Sequence, residues 1–233
     1  MGEKKKKEAE VASWKKVVVV GACVLFVVLM VVSGMGSGWL TMFSSVKPGQ
    51  GVVIDYTIYD GAGKPVITSN DEVYSKAVKE GSSILAAKQM TVVANQSMST
   101  PIYPVQVYVP SSGTLTEFAI FASEYDTISS GVVGMKTNEK KTLTLPYSSS
   151  MSQLWEKEIL EKRGISMDDV SIGTMFAMGV SDTTAAEMDA NTTADTYMRM
   201  GEVTRKTDSG VVVDFGYPRM DIKVVQFGTT SSQ

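Results

Sequence analysis

The chain has 233 residues, a formal charge of −3, one cysteine and no histidine. Without histidine there is no Ser-His-Asp or His-Cys catalysis and no histidine metal site, and a single cysteine leaves no internal disulfide. The acidic balance argues against nucleic acid as a partner, the more so beyond residue 43, because Lys4 to Lys7, Lys15 and Lys16 make up six of the 22 basic residues.

Residues 1–16 form a lysine-dense segment, followed by a stretch from Val17 to Phe43 without a single charge. A helix rising about 1.5 Å per residue needs roughly 20 apolar residues to cross a hydrocarbon core, and Val17 to Gly36 supplies that length. The expectation is a transmembrane anchor over 17–43. The flanking lysines keep 1–16 in the cytoplasm, so the chain is a single-pass protein of the cell membrane with an extracytoplasmic C-terminal part. Other readings are a cleaved signal peptide, for which Ser33, Gly34 and Gly36 supply small residues, a lipoprotein at Cys23, and myristoylation at Gly2.

The remaining 190 or so residues suffice for one large domain or two small ones. VVIDYTIYD alternates apolar and polar positions and stops at Asp60-Gly61, which predicts a strand and a turn. Pro65 to Thr68 reads as a short edge segment, and Asp71 to Lys88 has only weak helical periodicity. Two or three strands follow, VYV and EFAIFA among them, with Pro101, Pro104 and Pro110 arguing against one continuous central strand. A short helix or turn ends near Gly134-Met135, and a strand runs from Thr142 to Leu145. SQLWEKEILEKRG reads as an amphipathic helix with Leu154, Ile159 and Leu160 on one face. Asp168 and Asp169 suit a helix cap or turn better than acid–base work, and Asp182, Asp189 and Asp195 lie in a threonine-rich loop without calcium-site spacing. Asp208-Ser209-Gly210 is a hairpin turn, and a last strand covers Asp221 to Phe227. Asn95 and Asn191 head glycosylation triplets. Seven methionines between Met151 and Met200 can adapt to varied apolar partners.

DYTIYDGAGKPVITS and GMKTNEKKTLTLP, followed in order by MDDVSIGTMFAM, GEVTRKTDSGVVVDFGYP and IKVVQF, resemble the FKBP-type peptidylprolyl isomerases, in particular their SlyD-like branch with an insert-in-flap module. The resemblance implies a β-rich α+β fold: an antiparallel half-barrel around a short helix over 46–151 and 212–228, an extra insertion at about 70–126, and an inserted small β module over 152–211, all preceded by one transmembrane helix. It also implies a proline pocket that speeds cis/trans rotation without cofactor or metal, and a module that holds unfolded clients. Its pocket positions fall on Tyr56, Val66, Ile67, Ile128, Tyr147 and Met151. The family's phenylalanine-aspartate pair is here Val66 and Ile67, its aromatic floor is Ile128, and its pocket tyrosine falls on Met151, with Tyr147 nearby. Tyr56, Val66, Ile67 and Ile128 also suit plain core positions. The implied function is a membrane-anchored extracytoplasmic peptidylprolyl isomerase and chaperone for unfolded or proline-containing polypeptides; the alternative is an inactive FKBP-like scaffold of the cell envelope.

Overall fold

The computed structural model describes residues 18–31, 33, 44–148, 151–181 and 195–228. The chain divides into Met1–Ser44 and Ser45–Gln233. In the first unit the described residues form a helix over 18–31, roughly 20 Å long at about 1.5 Å per residue. Among the described residues no helix is long and apolar enough to cross a membrane. The basic segment 1–16 and most of 32–43 lie outside the described residues, as do Asp182, Asp189 and Asn191.

The second unit is β-rich with few helices, built on one curled, open, half-barrel sheet. Its central strand is β1 (Gly51–Tyr59), whose alternation buries Val52, Ile54, Tyr56 and Ile58. One edge of β1 pairs along its length with β12 (Arg219–Gly228), which in turn pairs with β7 (Lys140–Thr144). The other edge is shared between β4 (Met90–Val93) and β2 (Pro65–Thr68). From β2 the sheet continues through β3 (Leu85–Ala87), β5 (Ile102–Val109) and β6 (Thr114–Phe121). A single parallel contact, Met198 with Phe118, carries it on to β10 (Thr196–Thr207), flanked by β9 (Met175–Ser181) and β11 (Gly210–Asp214), and β8 (Ser152–Glu156) closes the order.

Several elements differ from the sequence reading. The sheet is not wholly antiparallel, since β2 with β3 and β10 with β6 run parallel. β2 is not an edge strand: it lies between β1 and β3, and Pro65 is accommodated as its first residue, where a missing N–H costs least. Pro104 sits inside a continuous β5, because β3 pairs only with Val107 and Tyr108 and leaves one side of Pro104 free of a ladder among the described residues. A helix, α1 (Asp71–Lys79), forms where periodicity was weak; its start is fixed by Asn70, whose side chain accepts from the Glu72 and Val73 N–H groups. The amphipathic helix expected over SQLWEKEILEKRG is half strand. β8 pairs residue for residue with β11 and buries Trp155, leaving Leu154 and Ile159 exposed, and only α3 (Lys157–Lys162) is helical.

Two apolar cores result. The first surrounds α2 (Ala122–Gly131), which contributes Tyr125 and Ile128 to it and packs against β4, β5, β6 and β7. Val46 is clipped to the end of this helix by bonds to Gly134 and Met135, with Gly134 at φ 81° making the turn. The second core gathers Trp155, Leu160, Val170, Val203, Val211 and Phe215 from the 152–215 stretch. The turn at Asp208-Ser209 and the last strand fall where the sequence placed them.

Candidate functional site

The β9–β10 hairpin separates the two cores, and its register decides what each face carries. Met200 lies opposite Ala177, Met198 opposite Gly179 and Glu202 opposite Met175, so the three methionines share one face. The alternate positions, Phe176, Met178, Arg199 and Gly201, point the other way, and Met178 is buried in the second core. The methionine face looks across a cleft of about 480 Å³ toward Val66 and Leu85 of the first core and the buried Ile84, with Val78 of α1 and Pro110 of the β5–β6 turn also in its lining. Among the described residues no charged side chain lines it; its polar groups are Tyr74 and the serines 82, 83 and 111. An apolar cavity of this size with a few hydroxyls fits a short stretch of polypeptide side chains.

Behind the hairpin, Arg199 fastens it to the first core. Its guanidinium is fully buried and bidentate on Glu124, with Nη1 and Nη2 at 2.8 and 2.6 Å from the two carboxylate oxygens. Nε donates to the Phe215 carbonyl at 2.9 Å, Nη1 donates to that of Ala119 at 2.7 Å, and the Phe121 and Tyr217 rings lie 4.3 and 4.2 Å from the cation. Burial is the largest influence and pulls the guanidinium pKa down, but the charge and hydrogen bonds of Glu124, with Tyr217 and Asp214 adding to them, together outweigh it and hold the pKa above the ordinary value. Glu124 also accepts from the Phe121 N–H, capping α2. The buried Tyr217 hydroxyl donates to the Met200 carbonyl at 2.8 Å, which fixes the strand beneath the methionine face.

The six pocket positions implied by the resemblance do not converge. Tyr56, Ile67 and Ile128 are 2, 0 and 0% exposed and fill the first core. Tyr56 and Ile67 are diagonal neighbours on one face, because Ser69 bonds to the Tyr56 carbonyl and Ile58 pairs with Ile67. With an aliphatic residue at 67, the Tyr56 hydroxyl has no hydrogen-bond partner among the described atoms, and burial, with Tyr103 adding to it, pushes its pKa far above the tyrosine range. Val66 alone of the six lines the cleft. Tyr147 and Met151 meet elsewhere, at Gly216, where an added Cβ would lie 2.7 Å from the Tyr147 ring and 3.1 Å from Met151 Sδ. Tyr147 is exposed, and its hydroxyl donates to Asp214 at 2.7 Å.

Asp60, Glu202 and Asp214 border a small space at the foot of the hairpin. Burial raises the Glu202 pKa, the charge of Asp60 adds to this, and Lys64 opposes it. Among the described residues no group of three or more acidic or cysteine side chains is arranged to hold a metal ion.

The methionine pattern was legible in the sequence as an adaptive surface. The contributions of Val78, Ile84 and Pro110 were not, because they come from the 70–126 stretch, whose strands join the sheet only through long-range pairing. Arg199 had a signal in YMRMGEV: a lone charge between two methionines on an alternating strand must point to the face opposite theirs. Compared with known proteins, the chain matches no family model and no curated sequence.

Proposed function

We propose that this chain is a chaperone of the FKBP type, SlyD-like in plan, held at a membrane by its amino-terminal segment and acting on unfolded exported polypeptides outside it. The uncharged, methionine-faced cleft between the two cores carries this reading. Thioether side chains rearrange at little cost, so one surface accommodates many apolar sequences. Prolyl isomerisation is a minor activity in this proposal, because the side chains of Tyr56, Ile67 and Ile128 are packed into the first core.

That same burial favours the second reading, an FKBP-like envelope scaffold without turnover. The two separate in one experiment on the full chain in lipid nanodiscs: a protease-coupled prolyl-peptide assay beside suppression of aggregation of a reduced, unfolded client. Suppression with slow isomerisation is the expected result. Neither activity above buffer retires the chaperone reading in favour of the scaffold.

A further inference from the structure

We propose that Met175, Met198 and Met200 form a peroxide-sensitive modification site, and that oxidation of their thioethers to sulfoxides closes the cleft to apolar polypeptide. The second half of this proposal rests on the client-binding reading; the first half does not.

The fold sorts the methionines by access. Met175, Met198 and Met200 are half-buried, as are Met98, Met151 and Met167, but among the described methionines they are the ones that share one hairpin face and line the open cleft. Met178, on the same strand as Met175 but facing the second core, is 8% exposed, and Met90, Met135 and Met220 in the first core are 2, 3 and 0% exposed. Peroxide reaches the first set and is shut out from the second. The reaction is a two-electron transfer. A sulfur lone pair attacks one oxygen of the hydroperoxide, an S–O bond forms and the O–O bond breaks. The attacked oxygen's proton passes to the departing hydroxide, which leaves as water, so sulfur is oxidised and peroxide reduced.

The consequence follows from where the new oxygen lies. A sulfoxide is polar, and three of them on one face replace the uncharged apolar floor of the cleft with acceptors that apolar client side chains cannot satisfy. Reduction of the sulfoxides restores the thioethers, so the change is reversible, and no backbone element has to move for it. Arg199 and Tyr217 hold the hairpin from behind in either state.

The test uses the full chain in nanodiscs, dilute hydrogen peroxide as oxidant, and reduced carboxymethylated lactalbumin as unfolded client. Peptide mapping by mass spectrometry is expected to find added oxygen at Met175, Met198 and Met200 well before Met178, Met90 or Met220. Client affinity should fall about tenfold with oxidation and return after treatment with methionine sulfoxide reductase. A variant carrying Met175→Leu, Met198→Leu and Met200→Leu keeps the volume, and whatever client affinity it has before treatment should be the same after peroxide. Oxidation spread evenly over cleft and core methionines overturns the modification site. Undiminished client binding at full oxidation, or an equal loss in the leucine variant, overturns the closure. If the untreated chain binds no client, the closure falls with the client-binding reading, and the oxygen map still decides the site.

Discussion

Tyr56 holds its hydroxyl in an apolar core with no partner among the described atoms, and an unmade buried hydrogen bond costs free energy that a phenylalanine would not. Tyr56→Phe is therefore expected to stabilise the chain by about 1 kcal/mol in chemical denaturation; a loss of stability would mean that the hydroxyl has a partner. Glu202 gives the complementary test through pH. Its carboxyl pKa is raised above the ordinary 4.5, first by burial and then by Asp60. A raised acid pKa means that the ionised form is disfavoured in the folded state. The stability cost is absent below the unfolded pKa, grows as pH rises toward the folded value, and is complete above it. Glu202→Gln should raise stability at neutral pH and leave it unchanged near about pH 4. An equal gain at both would assign the effect to packing rather than charge.

At the scale of elements, the Arg199–Glu124 pair decides whether the β9–β10 hairpin stays on α2. Both partners are out of water, and the guanidinium's hydrogen bonds go to Glu124, the Ala119 carbonyl and the Phe215 carbonyl. Removing one member leaves a buried charge uncompensated, so Arg199→Met or Glu124→Leu alone should cost about 3–5 kcal/mol. The double variant should cost much less than the sum, since two apolar side chains can fill the same space. Additive losses in thermal unfolding would show that the two residues act separately. The elements also show what local pattern could and could not reveal. β1, β12 and the turn at Asp208-Ser209 were legible because alternation and turn chemistry sit in a few consecutive residues. β8 was misread because Leu154, Ile159 and Leu160 match a helical face, and the competing influence, pairing with β11 more than fifty residues on, is invisible to a local window.

For the whole molecule, the curled, open half-barrel sheet with few helices is the β-rich α+β class expected from the sequence, and the burial of Tyr56, Ile67 and Ile128 agrees with their plain reading as core residues. The sheet order itself was out of reach, because β3, β5 and β6 enter through pairings that depend on β2 and on the single parallel contact at Phe118. The cleft was out of reach for the same reason: its walls are drawn from α1, β2, the β5–β6 turn and the β9–β10 hairpin, and it exists only once these are brought together. Placing a charge in its lining is the most direct test of the account. In an aggregation assay with the full chain and an unfolded client, Met200→Asp is expected to lose at least about tenfold in suppression, while Tyr147→Phe, which leaves the cleft untouched, behaves as the parent. Equal suppression by the parent and Met200→Asp, with both chains folded, would contradict it.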